Sequence, residues 1–566
     1  SRPAVPPPTY RRTTTRFPIL SLLPYVFLSL QATKVLNNSD YSLSLSPEQN
    51  YIGMKYPIGV QNFESLRRDG YLYIDKTELI YKLVSEGRYY FLSRPRRFGK
   101  SLLISTLVAY FQGKKELFEK LAMERLEKEW TARPVLHIDL NIERYNKAEN
   151  LHDILNYSLC RWEKLYGSDP SETSLPLRFA GIVRRAHEQT GHRVAILVDE
   201  YDKPLLQAIG DKQLQEEFRG ILKPFYGVLK TMDGHIRFAM LTGVTKFGKV
   251  SVFSDLNNLK DISMLPQYAS LCGLTESEIQ HYMEEGIKNL AATQHLTYDG
   301  TCRKLKEMYD GYHFTPGSEG IYNPFSILRT MDSGIFGSYW FETGTPTYLV
   351  TLLKQGKCDL SEISSAVTDV ETLDSIYGDD EPIPVIYQSG YLTIKGYNPR
   401  FESYTLGFPN KEVEEGFMKF LVPYYTPIRK SATNFEMQKF VREIETGNVD
   451  AFLTRLQSFM ADTPYELIRE QELHYQNVLF IVSKLLGFYV QAEYRTSQGR
   501  IDLLLQTDKF VYIMEFKLEG SAEEALKQIE EHNYAAPFAS DPRKVLKVGI
   551  NFSAQSRNID KWIITA

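Results

Sequence analysis

The sequence predicts an α/β protein in which a parallel sheet carries helices on both faces and a smaller α/β domain follows. Short apolar runs alternate with helical stretches from about residue 71 to residue 265. Two of these runs, Arg193–Val198 and Arg237–Leu241, are almost continuously apolar, as strands buried on both faces are. A new alternation of helix and strand begins near residue 471, which predicts a separate C-terminal domain.

Length and composition favour a multidomain globular protein. A chain of 566 residues is too long for one hydrophobic core, so we expect two to four domains. The net charge of -4 argues against a protein that is basic throughout, although local basic patches stay possible. The four cysteines form no Cys-x-x-Cys pair, which indicates a reducing cytoplasm and neither a disulfide framework nor a zinc site.

The first 53 residues differ from the rest of the chain. An apolar run, Phe17–Leu30, follows three arginines and superficially looks like a signal peptide. The run is short for a membrane span and contains Pro24. We interpret residues 1–53 as a non-native or disordered leader and Met54 as the start of the protein, and we expect no stable membrane association.

A phosphate-binding loop is predicted between the strand Tyr89–Leu92 and a helix that spans Ser101–Phe111. A strand, a short turn, Gly-Lys-Ser and a helix form the layout of such loops, and a helix N-terminus favours phosphate. Arg94 stands where the usual first glycine would be. Lys100 would reach the β and γ phosphates and Ser101 would ligate Mg²⁺. The predicted ATP-binding residues of the loop are Arg94, Arg97, Phe98, Gly99, Lys100 and Ser101.

An acidic pair and a polar strand end complete the predicted site. Asp199 and Glu200 directly follow the buried run that ends at Val198. We expect Asp199 to hold the Mg²⁺ shell and Glu200 to polarise the attacking water. Thr242 ends the next apolar run and would lie beside the γ-phosphate. Together these residues predict an ATPase on a P-loop NTPase sheet over residues 54–265.

The region from residue 266 to 425 reads as a helical lid. Thr275 and Glu278 form a capping box that begins a helix, and a hairpin is predicted around Asn398-Pro399 before a helix over Glu412–Leu421. A hairpin beside helices is compatible with a winged-helix element that touches DNA, but simple packing on the ATPase core is the favoured interpretation. Residues 426–470 are interpreted as a helical linker.

The last segment, 471–566, carries a pattern of carboxylates on strands. Asp502 ends one predicted strand and Glu515 the next, and Lys517, two residues after Glu515, shares its face of the strand. Two carboxylates that meet on a sheet form a Mg²⁺ or Mn²⁺ site. We predict that Asp502 and Glu515 hold this metal, and that Lys517 helps to polarise water or to neutralise the transition state.

Taken together, the chain resembles AAA-ATPase-like proteins with a C-terminal PD-(D/E)XK nuclease domain, which are common in anaerobic bacteria. The resemblance covers Met54 to the end and rests on motifs in order, among them YPIGVQNF, FLSRPRRFGKS, VAILVDEYDKPL, LTGVTKFGKVSVF, TGTPTYL, GRIDLLL and EFKL. It implies that Arg94 is the family's own form of the loop and that Gln528 and Tyr534 occupy accessory nuclease positions. It also implies an ATPase module and a nuclease-like module, without naming a substrate.

Three functional hypotheses follow. The first is a cytoplasmic, ATP-powered enzyme that acts on DNA or RNA, and the second is a nucleotide-driven switch or scaffold with an inactive nuclease fold. The third is a structural protein that has lost both chemistries, against which the intact site residues argue. The sequence leaves open a homo-oligomer in which a neighbour supplies an arginine finger.

Overall fold

The computed structural model describes most of the chain from Met54 to Ala566. The described residues are 54–246, 258–342, 349, 359–374, 382–461, 471–487, 489, 491–497, 500–517, 520–553 and 558–566, and side chains are not described at 342, 430, 471–473 and 493–502. The predicted leader lies outside these residues, as do 247–257 and most of TGTPTYL. Among the described residues, none of the helices combines the length and the apolar character that crossing a membrane requires.

The N-terminal sheet is parallel and has five described strands in the order β2-β3-β4-β1-β5. They are β1 (Tyr89–Ser93), β2 (Val135–Asp139), β3 (Val194–Asp199), β4 (Ile236–Gly243) and β5 (Lys260–Asp261). Every residue of β1 and β3 is buried, so both faces of the sheet are covered and the predicted fold class is confirmed. Ser93 pairs with Gly243 and Val198 with Leu241, so β1, β3 and β4 end at the same edge of the sheet.

Eight described helices accompany this sheet, and the capping residues explain several of their boundaries. Ser174 caps the sixth and Gly191 ends it with a left-handed backbone, while Asp211 caps the eighth. The helices are α1 (Phe63–Arg68), α2 (Thr77–Glu86), α3 (Lys100–Phe111), α4 (Ala122–Leu126), α5 (Ala148–Tyr166), α6 (Leu175–Thr190), α7 (Lys203–Gln207) and α8 (Lys212–Thr231).

The apolar run YLYI at residues 71–74 forms no strand, contrary to its aromatic and β-branched pattern. Only Tyr71 makes an isolated bridge, to Lys55. Leu72 and Ile74 instead pack against a cluster of helix residues in the middle of the chain, and Tyr73 packs edge-on against Phe63. The pattern therefore reflects burial of side chains and not a sheet ladder.

The middle region contains helices and a small antiparallel sheet. The expected hairpin forms from β7 (Thr393–Asn398) and β8 (Ser403–Gly407), and β6 (Val367–Asp369) pairs with β8. The helices are α9 (Glu276–Tyr282), α10 (Glu284–Thr293), α11 (Tyr298–Tyr309), α12 (Pro324–Ser333), α13 (Tyr339–Glu342), α14 (Leu360–Ile363), α15 (Val370–Asp374), α16 (Ile383–Gln388) and α17 (Lys411–Tyr425). The capping box at Thr275 and Glu278 is present, and a winged-helix role for the hairpin stays a prediction.

The C-terminal sheet is mixed, in the order β13-β12-β11-β10-β9, with β11 and β12 parallel and the other pairs antiparallel. Its strands are β9 (Gln491–Ser497), β10 (Arg500–Gln506), β11 (Phe510–Lys517), β12 (Lys544–Ser553) and β13 (Asn558–Thr565). Its helices are α20 (Gln471–Leu486) and α21 (Ala522–Glu531). The alternating pattern of Phe488–Glu493 predicts a strand, and among the described residues that strand begins at Gln491.

The two helices of the expected linker, α18 (Thr433–Glu445) and α19 (Val449–Met460), pack on the C-terminal sheet. The Tyr512 hydroxyl donates to the carbonyl of Ile444, and Asn558 Nδ2 donates to the carbonyl of Gln457 at 3.0 Å. A methyl group at Gly447 would collide with the Phe510 ring. Residues 433–460 are thus bound to the domain that they precede.

Candidate functional site

The Gly-Lys-Ser loop, residues 94–101, runs from β1 into α3. Gly99 precedes the helix with φ of 94°, a backbone conformation that glycine adopts without strain. Arg97 also has a positive φ, of 67°. Because Lys100 is the first residue of α3, the loop ends at a helix N-terminus, where backbone N–H groups lack partners within the helix. The local structure therefore matches an anion-binding turn.

Lys100 connects this loop to the end of β3. Its side chain is 3% exposed, and Nζ lies 3.4 Å from Glu200 Oε1. Nζ also donates to the carbonyl of Arg94 at 3.1 Å. The lysine thus stands between backbone oxygens of the loop and an acidic side chain that follows β3, which is separated from β1 by β4.

Asp199 and Thr242 meet at the ends of β3 and β4. Thr242 Oγ1 donates to Asp199 Oδ1 at 2.6 Å, and the Glu200 backbone N–H donates to the same oxygen at 3.1 Å. Glu200 has φ of 54°, an uncommon conformation for this residue type that often marks functional positions. The parallel register therefore brings together four of the residues predicted from sequence, Lys100, Asp199, Glu200 and Thr242.

A cavity of about 900 Å³ lies over this group. Lys100, Ser101, Glu200 and the exposed side of the loop line it, and so do the segment after β2 and the N-terminal part of α12. Five cationic and two acidic residues border it: Arg96, Arg97, Lys100, Arg144, Lys203, Glu200 and Asp211. Excess positive charge around a cavity attracts anions, so its chemistry suits a polyphosphate.

A second, smaller cavity of about 100 Å³ adjoins the first at Gly99 and Leu102. Its walls are mostly apolar and come from three parts of the chain, represented by Leu72, Leu274 and Leu328. Together the two cavities offer a cationic space beside an apolar one.

Two predicted loop residues direct their side chains away from the large cavity. The Arg94 guanidinium is buried and donates to the carbonyls of Ser263 at 2.7 Å and Tyr268 at 3.1 Å. It also lies over the Phe314 ring, 4.0 Å from the centroid, and burial lowers the pKa of Arg94 to about 10. Phe98 packs edge-on against Tyr312 and Phe314. The expectation that the Arg94 side chain steadies phosphate is therefore corrected, because carbonyl groups and a ring already surround it.

The middle region contacts the loop through Trp340 and Glu412. Trp340 Nε1 donates to the carbonyl of Arg96 at 3.0 Å, and its backbone N–H donates to Glu412 Oε1 at 2.8 Å. Ser326 Oγ of α12 donates to Glu412 Oε2 at 2.8 Å. The Arg97 guanidinium lies over the ring of the adjacent Phe325. We call these contacts the Glu412 network; they tie the loop to α12 and α17.

In the C-terminal sheet, Asp502 on β10 stands directly opposite Glu515 on β11. The Glu515 side chain is 1% exposed, and its Oε1 lies 3.6 Å from Lys517 Nζ. Lys517 Nζ also donates to Gln528 Oε1 on α21. The structure therefore brings Glu515, Lys517 and Gln528 together, with the Asp502 backbone adjacent. Carboxylate oxygens are the ligands that Mg²⁺ or Mn²⁺ prefers, and Glu515 supplies the carboxylate whose position the structure describes here.

Helix α21 covers this face of the sheet. Gly549 of β12 pairs with Glu515, and a Cβ at Gly549 would lie 2.2 Å from the carbonyl oxygen of Ala522. Tyr534, predicted as an accessory residue, packs instead against the hydrophobic cluster around Val511 and Ile529. The structure does not place it with Lys517 and Gln528.

Comparison with known proteins identifies both modules. Residues 57–253 match the family described as Predicted AAA-ATPase, and residues 470–562 match the PD-(D/E)XK nuclease superfamily. A protein of Azotobacter chroococcum mcd 1, named "Uncharacterized protein in vnfD 5'region", is 34% identical over 525 residues, which are 90% of this chain and 98% of that protein.

The chain belongs to the predicted AAA-ATPases with a C-terminal PD-(D/E)XK nuclease superfamily domain. A solved structure, the Aeropyrum pernix ORC2 protein in its ADPNP-ADP complexes, is similar at 15% identity over 64% of this chain and 92% of that one. Its TM-score is 0.22, a similarity too low to add to the assignment.

Two residues near the AAA-ATPase site, Asp202 and Trp340, were not predicted from the sequence. Asp202 is fully buried and accepts hydrogen bonds from the backbone N–H groups of Val244 and Thr245, which holds the segment after β4. Burial raises the pKa of Asp202 to about 6. The only sequence signal for Asp202 was its position three residues after Asp199, close to the predicted site. Trp340 carried no local signal, because its contact with Arg96 joins residues 244 apart in the chain.

Proposed function

We propose that this protein binds and hydrolyses ATP at the Gly-Lys-Ser loop, and that its PD-(D/E)XK domain cleaves DNA or RNA in a metal-dependent reaction. One observation supports the first part most directly. Lys100, Asp199, Glu200 and Thr242 meet at one edge of a parallel sheet, under a cavity bordered mainly by cations. Phosphates bind at such an edge, beyond the carboxyl ends of the strands.

Each residue at that edge has a defined task in this proposal. The N-terminus of α3 and Lys100 bind the β and γ phosphates. Ser101 and Asp199 would hold Mg²⁺, which neutralises phosphate charge when it is bound. Thr242 orients Asp199 through their 2.6 Å hydrogen bond. When a phosphate group binds Lys100, Glu200 loses its contact with the lysine and contacts the attacking water instead.

The apolar cavity beside the loop is the expected place for the base. It adjoins the phosphate cavity at Gly99 and Leu102, and leucines line it on three sides. A planar heterocycle gains free energy when it leaves water for such a site. ATP would thus lie across both cavities, with its base between the 57–74 segment and α12.

In the PD-(D/E)XK domain, Asp502 and Glu515 would hold Mg²⁺ or Mn²⁺, which lowers the pKa of a bound water when present. Lys517 lies beside Glu515 and is held by Gln528, so its charge is positioned to stabilise a phosphate transition state. A second candidate function is a nucleotide-driven switch or scaffold with an inactive nuclease fold. The burial of Glu515 under α21 favours this alternative, since a catalytic carboxylate must reach its substrate.

One protein preparation tests both parts. We expect wild-type protein to bind and turn over ATP, and Lys100→Ala to lower turnover by at least about 100-fold. Lys115→Ala is the matched control, because Lys115 is an exposed lysine outside the cavity. Wild-type protein that binds no ATP would contradict the proposal. Cleavage is assayed on single-stranded DNA, duplex DNA and RNA with Mg²⁺ or Mn²⁺, and failure on all three would favour the switch or scaffold.

A further inference from the structure

A cation with no role assigned above, Lys203, lines the cavity proposed for ATP on the far side of Glu200 from Lys100. Lys203 is the first residue of α7, and its backbone N–H donates to the carbonyl of Glu200 at 3.0 Å. Its Nζ donates to the Asn141 carbonyl at 2.6 Å and to Asn141 Oδ1 at 2.9 Å. Lys203 and Asn141 both line the cavity that Lys100 and Glu200 line.

The sheet order determines where Lys203 is anchored. Asn141 follows β2, and its backbone N–H donates to Asp139 Oδ1 at 2.8 Å. Asp139 pairs with Asp199 in the β2–β3 register, so the anchor stands at the same level as the acidic pair, one strand away. Lys100 follows β1. In the sheet order, β1 and β2 lie on opposite sides of β3, with β4 between β3 and β1. Glu200 is therefore flanked by Lys100 from one side and by Lys203 from the other.

None of the hydrogen-bond partners of Lys203 carries a negative charge. Both of its side-chain hydrogen bonds go to neutral oxygens, and no ion pair within 4.0 Å involves Lys203 in the described part of the chain. Burial lowers the pKa of Lys203, although Glu200, Asp139 and Glu143 nearby act in the opposite direction. A half-buried ammonium group without a carboxylate partner gains most from an anion, and a triphosphate is the anion that this cavity suits.

We propose that Lys203 is a catalytic residue that contacts the γ-phosphate opposite Lys100 and stabilises the charge of the transition state in cis. This inference rests on the proposed ATPase function. In the step, the water oxygen bonds to the γ-phosphorus while the bond from that phosphorus to the β–γ bridging oxygen breaks, which leaves ADP and inorganic phosphate. The proton of the water passes to Glu200, and Lys203 keeps its own proton throughout.

A cation in this role can come from the same chain or from a neighbour. Lys203 would supply it from the same chain, held in place by Asn141, so hydrolysis would need no second copy of the protein. This distinguishes the proposal from the oligomer with an arginine finger that the sequence left open. Turnover per chain should then stay constant when the protein is diluted.

The test compares Lys203→Met and Lys203→Arg with wild type and with Lys115→Met, an exposed control. ATP affinity is measured by calorimetry and turnover by phosphate release. Turnover is repeated over a 100-fold range of protein concentration, so that an oligomer would dissociate towards the lower end. We expect Lys203→Met to lower kcat by about 100- to 1,000-fold with less than about a threefold change in ATP Kd, while Lys203→Arg recovers part of kcat because the charge returns. Wild-type kcat should not change with dilution.

Three outcomes in the variant and dilution experiments would overturn the inference. They are a Lys203→Met protein that keeps its kcat, one that loses ATP affinity with kcat unchanged, and a wild-type kcat that falls on dilution. Wild-type protein that binds ATP without hydrolysing it would also overturn the role of Lys203 while ATP binding stands. Wild-type protein that binds no ATP would instead overturn the proposed function itself. Thermal unfolding of each variant confirms that it is folded. Asn141→Ala removes one of the two acceptors of Lys203 Nζ and leaves the backbone carbonyl, and we expect this second variant to have a moderately lower kcat.

Discussion

Each module of this protein contains a lysine beside a glutamate, but the two pairs differ in which partner meets solvent. In the AAA-ATPase domain, Lys100 Nζ lies 3.4 Å from Glu200, and the side chains are 3% and 20% exposed. In the PD-(D/E)XK domain, Lys517 Nζ lies 3.6 Å from Glu515, and the side chains are 17% and 1% exposed. The lysine is buried in the first pair and the acid in the second.

The sheets explain this difference. Glu200 follows a parallel strand, at an edge where strand ends and helix N-termini surround a cavity. Glu515 lies within a strand of a mixed sheet, on the face that α21 covers closely at Gly549. The same two residue types thus lie at an open cavity in one domain and at a covered position in the other. The residue types of such a lysine–glutamate pair therefore predict its chemistry, whereas the exposure of the pair to solvent depends on where its residues lie along the strand.

The largest expected effects come from neutralising each acid. We expect Glu200→Gln to lower ATP turnover by about 100- to 1,000-fold while ATP still binds, and Glu515→Gln to abolish metal-dependent cleavage without changing ATP turnover. Phosphate release and cleavage are measured on the same preparations, with Glu531→Gln, an exposed residue of α21, as control. If either variant removes both activities, the two pairs form one functional unit and the comparison fails.

The next effect concerns Arg94, whose charge is buried in the wall of the first site. Arg94→Ala removes hydrogen bonds to the carbonyls of Ser263 and Tyr268, so we expect the free energy of unfolding to fall by about 3 kcal/mol. Arg96→Ala, in the same loop but exposed, should change it by no more than about 0.5 kcal/mol. Urea denaturation followed by tryptophan fluorescence distinguishes them, and equal effects would show that Arg94 is not structural.

A methyl group tests how tightly α21 covers the second site. Gly549→Ala places a Cβ against the Ala522 carbonyl, and we expect a loss of about 1–3 kcal/mol in the free energy of unfolding. Gly220→Ala is the control, because nothing lies within 4 Å of a Cβ there and alanine favours the α8 helix by about 0.5–1 kcal/mol. A Gly549→Ala protein as stable as wild type would mean that α21 moves away easily.

The smallest expected effect is a pH dependence from Asp202 beneath the first site. The folded state raises the pKa of Asp202 from 3.8 to about 6, so the folded protein holds this proton more tightly than the unfolded chain. The contribution of Asp202 to stability is therefore greatest at low pH and falls as pH rises from about 4 to about 6. Relative to Asp202→Asn, wild-type protein should gain stability between pH 7 and pH 5 in urea titrations, and a difference independent of pH would contradict this.

Much of the AAA-ATPase site was predictable, because parallel strands bring their carboxyl ends to one edge. Lys100, Asp199, Glu200 and Thr242 follow from that rule and from their motifs. The Arg94 side chain could not be placed, since its partners lie about 170 residues away. The YLYI run has the composition of a strand but forms none, because aromatic side chains pack in cores as well as in strands.

In the PD-(D/E)XK domain, alternation along β11 correctly predicted that Glu515 and Lys517 share a face. Gln528 and Tyr534 were indicated only by the resemblance to PD-(D/E)XK nucleases, and no local pattern marks them. That resemblance did not reveal that Tyr534 lies beyond the end of α21, in the hydrophobic cluster around Val511 and Ile529. The close packing of α21 over Glu515 depends on the absence of a side chain at Gly549. The sequence does not show this requirement, because it arises from the pairing of β12 with β11.

The hydrogen bond from Trp340 to Arg96 has a consequence for how the chain is made. A ribosome delivers the Gly-Lys-Ser loop 244 residues before the tryptophan that bonds to it. Until the middle region has been synthesised, the Arg96 carbonyl can therefore accept only from water or from other donors. The loop gains this contact only late in synthesis, and a messenger truncated before the Trp340 codon encodes Lys100, Asp199, Glu200 and Thr242 without that tryptophan.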